Sequence, residues 1–248
     1  MVGMATPRIL ATSGGFIPGP TQRTARVGQM LLDALSLTNQ IRPKVCLVLT
    51  ATGDDTDYYH LLYEAFGAAG CDVTELRLFL QPSADPEERL CGSDLVWVGG
   101  GSVANLLALW RLHGVDTAMR AAWEKGVILG GVSAGSLCWH VGGTTDSFGP
   151  TLRPVTNGLG LLPYANGVHY DSEAQRRPLL HELVGNGTLP PLAYATDDRV
   201  GIWYEGTTPV SVVSDRSVDP ETGPAAYKVE LVAGEVTETR FSVGSSLS

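Results

Sequence analysis

Short apolar runs alternate with amphipathic segments along the first two-thirds of the chain. The runs are mostly continuous, which is typical of strands buried on both faces of a parallel sheet. They predict strands at Ile9–Thr12, Val45–Ala51, Val73–Leu80, Leu95–Val98 and Val127–Val132. The segments between them predict helices at about Thr21–Leu37, Asp57–Ala69, Ser102–His113 and Thr117–Lys125. Alternating strands and helices predict an α/β fold, a three-layer sandwich with a mostly parallel central sheet.

The last third of the chain has a different pattern, with apolar runs close together and turn sequences between them. Such a pattern predicts antiparallel hairpins that extend or flank the main sheet. The strands are predicted at Leu192–Thr196, Val200–Tyr204, Val210–Val213, Ala226–Val232 and Val236–Phe241. Because the sequence contains neither a repeat nor a low-complexity linker, we expect residues 1–248 to form a single domain. Its tail, at about 242–248, is expected to be disordered.

Composition favours a folded acidic protein that binds neither nucleic acid nor membranes. Hydrophobic residues make up 44% of the chain and charged residues 17%, which is enough for a substantial core. The net charge of −9 argues against a nucleic-acid surface, which needs clustered Lys and Arg. No apolar run reaches the roughly 18 residues that a membrane span requires.

The cysteines and the first residues indicate a reducing compartment. None of the four cysteines belongs to a C-x-x-C pair, so the sequence predicts neither a disulfide framework nor a metal site. The N-terminal sequence lacks the basic and then apolar pattern of a signal peptide. We therefore expect a cytoplasmic protein.

The strongest chemical signal is the sequence VILGGVSAG at residues 127–135. It predicts a buried strand, then the pattern G-x-S-x-G, then a helical run over Ser136–Val141. This is the context of a nucleophile elbow, a sharp strand-to-helix turn that holds a serine in strained backbone conformation. The free N–H groups at the start of the helix favour the oxyanion that forms on attack. Ser133 is therefore the candidate nucleophile; the alternative is a glycine-rich turn with an incidental serine.

A serine nucleophile needs a base, and His169 is the histidine best placed to serve. It follows a short apolar strand and leads into a loop, although a loop histidine on its own is more often structural. A carboxylate should orient the imidazole, and Asp146 is the candidate. Asp146 and His169 follow Ser133 by 13 and 36 residues. That order is the one found in α/β-hydrolases, but the spacing is too short for their fold.

Two loops are candidates for lining the site. Gly99–Ser102 follows a predicted strand but matches neither of the phosphate-binding glycine patterns. Its backbone N–H groups either complete an oxyanion hole beside Ser133 or belong to a tight turn. The loop Thr196–Arg199 contains Asp198, a candidate substrate-binding residue if the loop is not merely a solvated turn.

Four segments are more informative together than any one of them alone. They are GGGS at 99–102, GVSAG at 131–135, TTD at 144–146, and LGLLP with the following HY at 159–170. In this order they resemble the peptidase E family of serine peptidases, which includes aspartyl dipeptidases and, more distantly, cyanophycinases. The resemblance covers about residues 8–205 and implies a fold related to class I glutamine amidotransferases, with serine in place of cysteine.

The resemblance also implies roles for individual residues. Ser133 would be the nucleophile, His169 the general base and Asp146 the third member of the triad. Asp171 and Glu173 are nearby acids that remain alternatives to Asp146.

Further roles concern the oxyanion hole and substrate recognition. The resemblance implies an oxyanion hole formed by Gly100 or Gly101 with the amide of Ala134. Aspartyl dipeptidases carry a longer loop after the histidine, with an arginine assigned to the acidic side chain of the substrate. The corresponding loop is short here and contains Arg176, which we expect to line the pocket, with a weaker preference for N-terminal aspartate.

These observations together predict a serine peptidase that hydrolyses short peptides through an acyl-enzyme, without a metal or an organic cofactor. A cyanophycinase-like or other amidohydrolase is the alternative among enzymes. A catalytically silent binding protein on the same fold is the alternative from another class. We expect a short peptide as the only partner, apart from a homodimer, which the sequence leaves open.

Overall fold

The computed structural model describes residues 6–21, 24–215 and 217–247. Residues 22 and 23 of the predicted helix Thr21–Leu37, and Ser248 of the predicted tail, lie outside the described residues. Numbered along the chain, the strands are β1 Arg8–Thr12, β2 Phe16–Pro18, β3 Ala25–Val27, β4 Lys44–Val48, β5 Asp72–Glu75, β6 Leu95–Val98, β7 Ile128–Val132, β8 His140–Thr145, β9 Arg153–Val155, β10 Leu162–Gly167, β11 Leu192–Thr196, β12 Val200–Glu205, β13 Thr208–Ser214, β14 Ala225–Val232 and β15 Glu235–Ser242. The helices are α1 Gln29–Leu37, α2 Thr56–Ala68, α3 Pro86–Cys91, α4 Val103–Leu112, α5 Val115–Glu124, α6 Ala134–Leu137 and α7 Arg176–Gly185, with a 3₁₀ turn at Thr50–Thr52.

The central sheet has the strand order β13-β12-β1-β7-β6-β4-β5. Five neighbouring strands run parallel, in the order β1, β7, β6, β4 and β5. Beside β1, β12 is added antiparallel, and β13 pairs antiparallel with β12. Apolar side chains are buried on both faces of this sheet, which explains the continuous apolar runs. The predicted α/β class with a mostly parallel central sheet is confirmed.

A second sheet, of order β15-β14-β11-β10-β8-β9, lies beside the first. Its central strands β8, β10 and β11 run parallel, and α7 packs with it around a separate apolar cluster. The predicted late hairpins are divided between the two sheets, because β12–β13 extends the central sheet and β14–β15 extends the second.

Several boundaries differ from the sequence expectations. The strand predicted at Val73–Leu80 ends at Glu75, and the helix predicted from Thr21 begins at Gln29 after the short strand β3. The helical run expected over Ser136–Val141 ends at Leu137, and the chain enters β8 at His140. The turn between β7 and α6 needs glycine, since a Cβ on Gly131 would lie 2.3 Å from the carbonyl oxygen of Gly135.

The segment after β15 differs from the expected disordered tail. The amide of Gly244 donates to the carbonyl of Val212, and the amide of Leu247 donates to that of Val210. The chain therefore returns along β13 as far as the described residues extend. No helix within those residues is both long and apolar enough to cross a membrane.

Parallel strands bring their carboxyl ends to one edge of a sheet, and three neighbouring strands do so here. The loops that follow β1, β6 and β7 begin at Ser13, Gly99 and Ser133. These segments are far apart in sequence but adjacent in the strand order, so the fold places the candidate site at this edge.

Candidate active site

Ser133 lies at the sharp turn between β7 and α6. Its backbone has φ 57° and ψ −113°, a positive-φ conformation outside the left-handed helical region that is strained for a residue with a side chain. The amide of Ser133 donates to the carbonyl of Thr12 at 3.0 Å, which ties the turn to the end of β1. Ser133 is therefore held in strained backbone at a sharp strand-to-helix turn.

Backbone groups surround the Ser133 side chain. Ala134 begins α6, so its N–H belongs to the first turn, which has no acceptor inside the helix. Gly100 approaches from the neighbouring loop, where an added Cβ would lie 3.2 Å from the Cβ of Ser133. Gly101 has φ 128° and lines the same cavity as Ser133. The three residues expected at an oxyanion hole are therefore grouped around the serine.

His169 enters the site from the loop after β10. Its backbone also has a positive φ, 53°. Its Nδ1 atom lies 2.6 Å from Oδ1 of Asp198, with the imidazole 24% and the carboxylate 42% exposed. Since Nδ1 is occupied by the carboxylate, Nε2 is the nitrogen left for a serine hydroxyl.

Asp146, the acid expected to orient His169, is placed differently. It follows β8, is exposed and lines the cavity, and in the described part of the chain no hydrogen bond joins it to His169. The carboxylate beside the imidazole is that of Asp198, which the sequence predicts only as a substrate-binding residue. Its loop follows β11, which pairs with β10 on the side opposite to β8.

Asp171 and Glu173, the alternatives to Asp146, bond to groups other than the imidazole of His169. Oδ1 of Asp171 accepts the backbone N–H of Asp198 at 2.8 Å, so it positions the loop rather than the imidazole. Glu173 forms an ion pair with Nε of Arg176 at 2.8 Å.

Arg176 lies in the wall of the cavity, and its guanidinium already has partners. The residue is 2% exposed, and besides Glu173 it donates to the carbonyl of Thr144. A buried guanidinium needs such partners, because an unpaired charge in a protein interior is costly.

One cavity of about 400 Å³ contains Ser133 and His169 together. Its other lining residues are Gly101, Ser102, Asp146, Ser147, Glu173 and Arg176. Concavities of about 560 and 600 Å³ elsewhere are lined without a serine–histidine pair. Chemistry rather than size therefore identifies the site.

Tyr58 was not found from the sequence, and it contacts the glycine loop. A Cβ on Gly99 would lie 3.0 Å from its ring. Burial raises the pKa of Tyr58 to about 12, against the effect of a hydrogen bond with the Gly100 backbone. No sequence pattern marks a tyrosine in the first turn of a helix for this position.

Cys138 is a packed thiol and not a competing nucleophile. It is fully buried, its Sγ contacts the carbonyl of Gly135 at 3.3 Å, and burial raises its pKa well above the ordinary value. A thiol held protonated in this way is unreactive. Within residues 6–21, 24–215 and 217–247, no group of three or more His, Cys, Asp and Glu side chains is arranged to hold a metal ion.

Comparison with known proteins gives consistent similarities. The sequence model of peptidase family S51 matches residues 9–212. The chain is 37% identical over 209 residues to a protein of Bacillus subtilis (strain 168) named "Uncharacterized peptidase YgaJ", covering 84% of this chain and 87% of that protein. It is 25% identical over 200 residues to "Peptidase E" of Shewanella denitrificans, covering 77% of each.

Two solved structures share the fold. A peptidase from an acI-B1 Actinobacterium superposes with a TM-score of 0.70 at 15% identity, over 99% of this chain and 98% of that one. A putative peptidase E protein from Listeria monocytogenes EGD-e superposes with a TM-score of 0.60 at 16% identity, over 85% of this chain and 99% of that one.

Proposed function

The chain belongs to peptidase family S51, as a serine-type peptidase of the peptidase E family, and on this premise we propose that it hydrolyses short peptides through Ser133, His169 and Asp198. One observation carries the proposal. A serine in strained, positive-φ backbone conformation shares a cavity with a histidine whose Nδ1 is bonded to a carboxylate.

The proposed reaction starts with proton transfer from the hydroxyl of Ser133 to Nε2 of His169. The serine oxygen bonds to the peptide carbonyl carbon, and Asp198 stabilises the imidazolium that forms. Collapse of the tetrahedral intermediate breaks the C–N bond, and the imidazolium proton passes to the departing amine. Water, activated by the same imidazole, then hydrolyses the ester and restores the serine.

The negative oxygen of the intermediate needs donors that are fixed before the reaction. We assign this role to the amide of Ala134 together with that of Gly100 or Gly101. Support comes from the position of Ala134 in the first turn of α6 and from the close approach of Gly100 to Ser133.

The cavity supports a short substrate with little selectivity for aspartate. Its volume of about 400 Å³ is on the scale of a small ligand. A substrate carboxylate would need an arginine free to donate a bidentate pair. Arg176 is already bonded to Glu173 and Thr144, and the exposed Asp146 adds negative charge to the wall.

A fluorophosphonate probe and a dipeptide library test this function. The wild-type protein should be labelled on the peptide that contains Ser133 and should release amino acids from α-linked dipeptides. Matched β-aspartyl isopeptides serve as the comparison, because their preferential cleavage would favour an amidohydrolase that cleaves side-chain amide links. A protein that takes no label and cleaves neither series would be a binding protein on this fold.

A further inference from the structure

The last residue of β1 and the residue after it contact both Ser133 and His169, although they contribute no group to the proposed reaction. The carbonyl of Thr12 accepts the amide of Ser133 at 3.0 Å. The next residue, Ser13, accepts the backbone amide of His169 on its hydroxyl oxygen at 3.1 Å. Two adjacent residues therefore hold the backbones of the nucleophile and of the base.

The hydroxyl of Ser13 uses its full hydrogen-bonding capacity. It lies 3.1 Å from the carbonyl of Thr196 and 2.7 Å from the hydroxyl of that residue. A hydroxyl has one proton to donate and two lone pairs to accept with. Donation to the Thr196 carbonyl, with acceptance from the Thr196 hydroxyl and the His169 amide, satisfies every contact.

The backbone of Ser13 holds the loop that carries the third member of the triad. Its amide donates to the carbonyl of Val200 at 2.8 Å, and its carbonyl accepts the amide of Arg199 at 2.9 Å. Asp198 lies directly before these two residues. Ser13 is thus bonded to His169 and to residues on both sides of Asp198, namely Thr196 before it and Arg199 and Val200 after it.

We propose that Ser13 is a positioning residue, whose hydroxyl fixes the backbone of His169 in the orientation that presents Nε2 to Ser133 while Nδ1 meets Asp198. This inference rests on the proposed peptidase function. It gives a role to the segment TSGGF at residues 12–16, to which the proposed catalytic residues do not belong.

Two physical facts make the hydroxyl hard to replace. Ser13 is 4% exposed, so water has little access to the groups that its removal would leave unpaired. His169 has a positive φ, which costs energy and persists only where its surroundings fix it. Loss of the bond to its amide would let the loop relax and move the ring away from the serine.

The test compares Ser13→Ala with a matched variant that loses a buried serine hydroxyl elsewhere. Ser93→Ala is suitable, because Ser93 is 8% exposed, its hydroxyl donates to the carbonyl of Arg89, and it precedes β6, whose other end borders the cavity. We expect Ser13→Ala to lower kcat by about 10- to 100-fold, the scale of a displacement of roughly 1 Å. KM should stay within about 3-fold, since Ser13 is not among the residues that line the cavity.

Two further variants separate positioning from general stability. Ser13→Thr retains the hydroxyl and should recover most of kcat. Thr196→Val removes only one partner of Ser13 and should lower kcat about 3- to 10-fold, with an unchanged KM. Wild-type kcat in a folded Ser13→Ala protein overturns the proposal. An equal loss of kcat in Ser93→Ala overturns it as well.

Failure of this inference is distinguishable from failure of the proposed function. If wild-type protein is neither labelled at Ser133 nor active on peptides, the function itself is wrong. If it is labelled and active while Ser13→Ala is equally active, only the positioning role is wrong. If Ser13→Ala does not fold, Thr196→Val decides, and unchanged kcat in that variant overturns the proposal.

Discussion

Nδ1 of His169 lies 2.6 Å from Oδ1 of Asp198, across 29 residues of sequence. The histidine follows a strand of the second sheet, and the acid lies on the connection from β11 of that sheet to β12 of the central one. The backbone amide of Asp198 is held in turn by Asp171. The carboxylate that orients the imidazole therefore comes from the place where the chain passes between the sheets.

Asp198→Asn should lower kcat by about 10³- to 10⁴-fold, the cost of losing the acid that fixes the imidazole tautomer. The matched change Asp146→Asn should alter kcat by less than about 10-fold, because Asp146 has no bond to His169. Steady-state kinetics on one dipeptide compare the two variants. A larger loss in Asp146→Asn would return the triad role to Asp146.

Ser133→Ala should lose activity by several orders of magnitude, on the order of 10⁴-fold or more, and all fluorophosphonate labelling. Ser136→Ala is the control, because Ser136 lies three residues away and its buried hydroxyl donates to Asn166. Ser136 is not among the residues that line the cavity. Mass spectrometry of labelled wild-type protein locates the adduct. An adduct on Ser136 or Cys138 would contradict the assignment of the nucleophile.

The ratio of kcat/KM for Asp-Leu to that for Ala-Leu should be small in the wild-type protein, within about 10-fold, because Glu173 neutralises Arg176. Glu173→Gln should raise this ratio by freeing the guanidinium. Arg176→Ala should lower both values together.

Strong wild-type selectivity for aspartate that persists in Arg176→Ala would contradict this account. It would place the recognition group elsewhere, with Arg199 and Arg153 as the next candidates.

Gly100→Ala should lower kcat about 10- to 100-fold with a small change in thermal stability, because its Cβ would press against Ser133 from 3.2 Å. Gly67→Ala is a matched control in the helix α2, where an added methyl group meets nothing within 4 Å. Kinetics and melting temperatures of both variants are measured together. Wild-type kcat in Gly100→Ala would show that the loop does not border the reacting atoms.

His140 should make the protein less stable in mild acid. It is fully buried, its Nδ1 bonds to the carbonyl of Ser136, its Nε2 has no partner among the described residues, and burial lowers its pKa to about 4. Above the unfolded pKa of about 6.5, neither state is protonated and the full stability is present. As pH falls from 6.5 towards 4, only the unfolded chain takes up the proton, so the free energy of unfolding falls by about 1.4 kcal/mol per pH unit.

Urea unfolding between pH 4 and 7.5 checks this expectation against His140→Asn, whose amide can keep the bond to Ser136. Burial also raises the pKa of Asp197 and of Asp215, but both carboxylates are present in the two proteins and cancel in the comparison. If the free energy of unfolding changes with pH equally in the wild-type protein and in His140→Asn, His140 does not contribute to the loss of stability in acid.

The sequence by itself determined the local elements and indicated the candidate nucleophile. Continuous apolar runs identified β1, β6 and β7, because strands buried on both faces have to be apolar throughout. Ser133 could be found because an elbow is local, and its strand, small neighbours and glycines lie within nine residues of sequence.

Only the tertiary structure decided which groups bond to His169. The sequence predicts Asp146 as the acid and Asp198 only as a substrate-binding residue. The distances from the two carboxylates to His169 depend on how β8 and β11 are placed in the second sheet. The hydroxyl of Ser13 is likewise an ordinary serine until the end of β1 is brought against the histidine loop. Such pairings join residues far apart in the chain, and local periodicity carries no information about them, because side-chain contacts across a sheet are set by strand order and register.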